Sequence, residues 1–372
     1  MLFYHKLLVC IILLMYLFNF DIDNASKVTT LSDFQTLSTY EDSKLAQPQM
    51  IKVVDSTSYL VYDSGYNQVK QLNLDGEIIQ EYGREGEGPG EYSSVLNLFI
   101  TDDQIYVLDQ VQGKILKYDH QGEFLSSFNY DPTNVTSPPP PPPAPSEELA
   151  SKLDRNRNNI NNQPYVGQSG NVLLPSDHEE YLFELKDWEG EFQAHMGGQR
   201  QDIQADMDEF RSDITNSDLP DLFSGNSFPV QDRNDPQAYF LIYSSFPVIA
   251  RYQADGQQEW EVVPDITEEL KELEEQYFES ARQLLEVADG VVIHRKYTTG
   301  ASNTEGELFL ATFTNAHHPM WIHRFSNSGE LQQQYKIESD VDLIPHFDID
   351  PKGEYAYVIT EEAEIRRYNI DN

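Results

Sequence analysis

The chain has 372 residues, with 25 Lys+Arg against 63 Asp+Glu and a formal net charge of −38. That surplus of acid excludes a nucleic-acid partner, whose phosphates are bound mainly by Lys and Arg, and disfavours an anionic membrane face. With 39% hydrophobic and 12% aromatic residues, among them 22 Tyr and 19 Phe, wholesale disorder is excluded too, and there is material for a sizeable core.

Leu7 to Phe18 is an unbroken apolar run, LLVCIILLMYLF, behind Lys6 and ahead of Asp21 and Asp23. It is shorter than the roughly 20 residues of a membrane span and suits the hydrophobic region of an export signal. Residues 1–25 are therefore expected to be a signal peptide. If Asp23, three positions before a cut at Ala25–Ser26, prevents cleavage, they form a short N-terminal membrane anchor. The only cysteine, Cys10, lies in this run. Val9 before it and Ile11 to Leu14 after it fit an apolar signal residue rather than a lipid-attachment site. The remainder, 26–372, then has neither a disulfide nor a thiol nucleophile. It is expected to be an exported monomer of the periplasm or cell envelope, touching membrane only through its N-terminus.

Beyond residue 40 a repeat governs the chain. Tight turns recur at Asp75-Gly76-Glu77, Gln121-Gly122-Glu123, Glu189-Gly190-Glu191, Asp255-Gly256-Gln257 and Ser328-Gly329-Glu330. Seven residues before each glycine stands Val69, Ile115, Ile249 or Ile322, with Leu182 one residue further back. Four before it stands Leu72, Tyr118, Tyr252 or Phe325, with Leu185 again shifted by one. Six after it comes Tyr82, Phe128, Met196, Val262 or Tyr335. Residues three apart in a strand point to opposite faces, so apolar residues at both positions require both faces of each unit to be covered, as between the blades of a propeller. A sixth copy, with Ile365 and Tyr368, stops where its outermost strand should begin. The unclaimed segment Asp33–Tyr40 is predicted to supply that strand and lock the ring. The fold expected is all-β: a six-bladed β-propeller with helical and proline-rich insertions, closed by an N-terminal strand that completes the last blade.

The turn spacing places the insertions. Gly76 to Gly122 is 46 residues, a bare blade of the usual size. The next three intervals are longer, which puts insertions at about 132–165, 198–225 and 264–290. The first contains Pro138 to Pro143, a stiff polyproline run. The alternating oxygens of Asp154, Asn156 and Asn158 just beyond it lack the glycine and glutamate of a calcium loop. The second insertion reads as partly helical. In the third, Ile266, Leu270, Leu273, Tyr277, Ala281, Leu284 and Leu285 form one helical stripe, expected to pack on the propeller rim.

The segment GREGEGPGEYSSVLNLFITDDQIYVLDQVQGKILKYDHQGEFLSSF, Gly83 to Phe128, resembles an NHL-type repeat, with its glycine-rich entry, IYVLD and KILKYD strands and GEF turn. Gly86 to Tyr92 is especially similar to exported six-bladed bacterial propellers of the NHL/TolB-like type. The resemblance implies the propeller fold. On function it implies only a range, since such propellers include ligand binders, interaction scaffolds, lyases and lactonases.

No catalytic constellation stands out. Gly83 to Gly90 lacks the Gly-Lys-Ser/Thr of a phosphate loop and reads as a crossover between blades, though Arg84 and Glu85 are candidates to face the channel. Asp63, Asp109 and Asp177, each 13 residues before a turn glycine, read as structural caps. His317, His318 and His323 cluster without metal-ligand spacing, and the adjacent pair reads as solvated. His294 and His346, with Arg295 and Asp348 beside them, fall on neighbouring innermost strands and are expected to converge in the channel. These observations favour a non-catalytic propeller that binds an envelope protein or small ligand through its channel face, with Arg84, Glu85, His294, Arg295, His346 and Asp348 as candidate ligand contacts. No cofactor is expected. The alternative is a lyase or lactonase assisted by a divalent metal in the channel, using His294, His346, Asp348 and Glu85.

Overall fold

A computed structural model describes residues 27–39, 44–131, 163–178, 180–198, 207–265, 267–287, 294–312 and 319–371. The predicted signal segment, the polyproline run with the stretch from Asp154, and the pair His317 and His318 lie outside them.

Six sheets form the blades, each with strands a to d from the channel outward. Blade 1 is Pro48–Val53, Ser58–Asp63, Gln68–Asn73 and Ile78–Tyr82, and blade 2 is Val95–Ile100, Gln104–Asp109, Lys114–Asp119 and Phe124–Asn129. Blade 3 is Tyr165–Val166, Val172–Pro175, Tyr181–Lys186 and Phe192–Gly198, and blade 4 is Ser227–Gln231, Ala238–Tyr243, Val248–Gln253 and Gln258–Val262. Blade 5 is Tyr297–Ser302, Leu308–Thr312, Met320–Phe325 and Leu331–Ile337. Blade 6 takes Leu343–Ile349, Tyr355–Thr360 and Ile365–Asn369 from the end of the chain and its d strand, Phe34–Ser38, from near the beginning. The predicted closure is therefore the one observed. The a strands of blades 4, 5, 6, 1 and 2 touch in succession, which makes them the innermost.

The spaced residues found in the sequence turn out to be cross-strand partners. Val69 faces Tyr82, Ile115 faces Phe128, Ile249 faces Val262 and Ile322 faces Tyr335. In blade 3 the partner of Met196 is Phe183, not the expected Leu182, so the register of that blade matches the others without a shift. The two-faced reading also holds. Ile115 packs between blades 2 and 3 while Tyr118 packs between blades 1 and 2. Ile249 and Tyr252 divide in the same way, as do Ile365 and Tyr368.

Tyrosine dominates the largest fully buried side chains. A broad ring fills the gap between two flat blades, and its hydroxyl can reach a polar group at the edge. Tyr82 Oη donates to Gln71 Oε1 (2.6 Å), Tyr118 Oη to Gly90 O (3.0 Å) and Tyr335 Oη to Ile370 O (2.9 Å). The abundance of tyrosine in the composition has its explanation here.

Besides the two-residue strands Arg84–Glu85 and Glu91–Tyr92, which pair within the glycine-rich crossover, one strand has no counterpart in the sequence reading. Lys27–Leu31 lies parallel to the d strand of blade 5 as a fifth strand. Among the described residues two helices belong to the insertions: α1, Met207–Asn216, and α2, Glu268–Val287. Phe210, Ile214 and Phe223 of the second insertion meet Tyr277, Phe278 and Ala281 of α2. Leu270 and Leu273 at the other end of α2 join the core between blades 4 and 5. The helix therefore packs on the propeller, as its stripe predicts. His323, fully buried on blade 5, fixes it further: Nε2 pairs with Glu269 Oε1 (2.6 Å) and Nδ1 with Tyr297 Oη (2.9 Å).

Strand connectivity gives the ring two unlike faces. The b–c and d–a connections leave on one face, and the a–b and c–d connections on the other. All three insertions are d–a connections, so each leaves and rejoins the ring on that one face, and the a–b connections of the blades are short.

Candidate functional site at the channel mouth

The innermost strand of each blade has an unpaired edge along the channel, and its N–H groups require acceptors. Side chains of neighbouring blades supply them. His346 Nδ1 accepts the Ile51 N–H (3.4 Å) and Asp348 Oδ2 accepts that of Val53 (2.8 Å), which joins blade 6 to blade 1. Tyr165 Oη accepts the Gln231 N–H (2.9 Å) and Ser302 Oγ that of Arg233 (3.0 Å). Burial pulls the His346 pKa down to about 3, with the Lys52 charge acting in the same direction, so the ring is neutral and Nδ1 is its acceptor nitrogen. His346 and Asp348 are thus brought together on one strand, and their visible work is to hold two blades against each other.

The other predicted site residues lie elsewhere. His294 and Arg295 precede the a strand of blade 5 and are buried beneath α2. The His294 ring stands 4.7 Å from that of Tyr277, its carbonyl accepts the Ser245 hydroxyl, and its Nε2 is buried without a hydrogen-bond partner among the described residues. Burial, then the nearby Lys296, lowers its pKa to about 3. Burial also lowers Arg295, to about 10. Lys296, next in the chain, pairs with Glu274 of α2 at 2.5 Å. His294 therefore belongs to the helix anchor, and the expected convergence with His346 is not made.

Arg84 and Glu85 are exposed on the d–a face, where Arg84 Nη2 meets Glu91 Oε1 at 2.6 Å. The Glu91 carboxylate also accepts the Gly88 N–H (2.9 Å). A Cβ on Gly83, whose φ is +62°, would come within 2.5 Å of Tyr118 Oη. The glycine-rich segment is a crossover built for close approach, in agreement with its reading from sequence. Asp63 and Asp109 are caps as expected: Asp63 accepts the N–H groups of Ala46 and Gln47, and Asp109 those of Ser93 and Val111. Asp177, at the same offset, is exposed. Among the described residues no group of three or more His, Cys, Asp or Glu side chains is placed to hold one metal ion.

The a–b face holds what the sequence did not signal. A cavity of about 680 Å³ opens there, lined by residues of all six blades, including Val53, Thr101, Gln168, Arg233, Thr304 and Pro351. From the axis it runs outward between blades 1 and 2 to Ile79 and His120. Arg233, on the a–b loop of blade 4, reaches across the channel. Its Nη1 donates to Ile349 O (3.2 Å) and its Nη2 to Asp348 Oδ2 (3.4 Å). Lys52, half-buried on the innermost strand of blade 1, has its pKa lowered by burial, an effect that Asp348 opposes and Arg233 reinforces. Two cations thus bear on one carboxylate at the mouth of a strongly acidic protein.

The chain is a six-bladed β-propeller. Residues 15–150 match a family model described as a 6-bladed beta-propeller. Among solved structures the fold is similar to that of a presumptive exported protein of Bacteroides fragilis NCTC 9343, at 13% identity and a TM-score of 0.51, over 92% of this chain and 98% of that one. It is also similar to virginiamycin B lyase of Staphylococcus aureus, at 13% identity and a TM-score of 0.49, over 91% and 99%. At such identities the likeness is one of fold. No curated protein matches the sequence.

Proposed function

We propose that the protein is an exported, non-catalytic binding propeller that receives a small ligand at the a–b mouth of its channel. The observation that carries this is the 680 Å³ cavity where the a–b loops of six blades converge, a volume in the range of small-molecule sites. The division of the faces supports it, because every insertion leaves from the opposite side and the mouth is framed by short loops. Export rests on the apolar run Leu7–Phe18. The lyase or lactonase reading depends on His294 and His346 acting together, and their separate surroundings give it no support.

A thermal-shift screen of a small-molecule library tests the proposal. Ligands that stabilise the protein are expected to lose their effect in Gln168→Trp, which fills the mouth, and to keep it in Arg84→Ala on the other face. Hits that survive Gln168→Trp and vanish in Arg84→Ala would move the site to the decorated face and refute the assignment.

A further inference from the structure

We infer that the ligand carries an oxyanion, a carboxylate or phosphate group, held by Arg233 with Lys52 behind it; this rests on the mouth being the binding site. The argument begins with the donors. A guanidinium has five N–H groups, and among the described residues Arg233 engages two of them, with Ile349 O and Asp348 Oδ2. Lys52 Nζ has no acceptor within hydrogen-bonding distance among the described residues, although Asp348 and Arg233 both act on its charge. Asp348 is already committed, since Oδ2 takes the Val53 N–H and Oδ1 the Ile349 N–H. One carboxylate that already accepts three hydrogen bonds carries a single negative charge against two cations, and partly desolvated charges require compensation.

The neighbouring polar groups are spent locally. Gln168 Nε2 donates to Ile100 O, Thr304 Oγ1 to Pro351 O and Thr101 Oγ1 to Gln104 O. Two acids line the cavity, Asp102 and Asp55, and Asp55 is turned back onto Thr57 and Ser58. Arg233 is the one Lys or Arg among the lining residues, and a planar fork of N–H groups matches carboxylate and phosphate oxygens. The cavity is far larger than a bare phosphate, and it continues past Ile79, which is 52% exposed. The oxyanion is thus the inner end of a longer molecule with an apolar part lying toward the rim.

Titration calorimetry in chloride-free buffer provides the test, with inorganic phosphate, succinate and its uncharged analogue succinamide as probes. The wild type is expected to bind at least one of the two anions at millimolar concentration and to ignore succinamide; the tighter anion identifies the oxyanion type. Loss of charge-assisted hydrogen bonds should weaken that anion by about tenfold or more in Arg233→Gln, and less in Arg233→Lys. Lys52→Met should weaken it by roughly fivefold while leaving the hydrogen bonds of Asp348 in place. Circular dichroism establishes that each variant is folded, and if Arg233→Gln is not, Arg233→Lys and Lys52→Met decide. Equal affinity in folded variants and wild type would overturn the inference, as would succinamide binding as well as succinate, or no anion binding up to about 50 mM. If library hits still depend on an open mouth after such a failure, the binding site stands and only its anionic preference falls. If no hit depends on the mouth, both fall together.

Discussion

A chain beginning at residue 40 should melt about 10 °C below one beginning at residue 27, because it loses the strand that closes the ring. The strand Phe34–Ser38 pairs with the c strand of blade 6, setting Phe34 opposite Tyr368 and Ser38 opposite Ile365. Leu37 is buried in the core between blades 6 and 1. The Phe34 ring lies 5.5 Å from that of Tyr368, with the Arg366 guanidinium 4.2 Å above it. Removal exposes Ile365 and Tyr368, both fully buried, and each such side chain returned to water costs roughly 2 kcal/mol. It also leaves blade 6 with an open edge, an invitation to association. A chain beginning at residue 33 separates the two N-terminal strands. It lacks only Lys27–Leu31, of which Leu31 alone is buried, and should lose no more than about 3 °C. Calorimetric melts of the three chains read this directly. Equal stability of the 27 and 40 chains would show that the ring does not depend on its N-terminal closure.

The closure was legible because it follows from counting. Every earlier blade has a c strand with apolar residues three apart, and the last of these, with Ile365 and Tyr368, had no d strand left in the chain. The blades were legible through turn glycines and two-faced strands, a pattern imposed by burial on both sides. Lys27–Leu31 escaped notice because four of its five residues are not buried, so no alternation marks it. The site was less legible for a related reason. Innermost strands are constrained by the narrow channel, not by a repeated apolar signature, and that of blade 3 is reduced to Tyr165–Val166. Arg233 lies in a loop after the unremarkable strand SFPVQ, and its importance comes from reaching Asp348, 115 residues away in sequence. Reading histidines as potential ligands found His346 and Asp348, but residue type cannot distinguish a channel ligand from an acceptor for a strand edge. His294 was misplaced because its segment leaves the innermost strand and turns beneath α2, a contact decided by the packing of Tyr277.

Acid should destabilise the protein well before its carboxylates protonate, and two histidines should account for much of the loss. Burial holds His346 and His294 at pKa values of about 3 in the folded state, against 6.5 for an exposed histidine. Between those values the unfolded chain binds a proton at each position and the folded chain does not. Stability from these groups is therefore complete above about pH 6.5 and declines as pH falls toward 3, at up to about 1.4 kcal/mol per pH unit for each histidine. By pH 5 the pair should have cost roughly 4 kcal/mol. His346→Gln keeps an acceptor for the Ile51 N–H, and His294→Phe keeps a ring against Tyr277 while removing a buried nitrogen that has no partner among the described residues. At pH 8 the double variant should be within about 1 kcal/mol of the wild type, and at pH 5 it should be the more stable protein by several kcal/mol. The fall in negative charge on acidification relieves self-repulsion in both proteins alike, so the difference between their urea-unfolding curves isolates the histidines. Parallel profiles from pH 8 to pH 5 would mean that neither ring is kept neutral by its surroundings. A loss shared equally by both proteins and confined to pH below about 4.5 would instead assign the acid sensitivity to carboxylates such as Glu269, whose pKa burial raises but its bond to His323 lowers further.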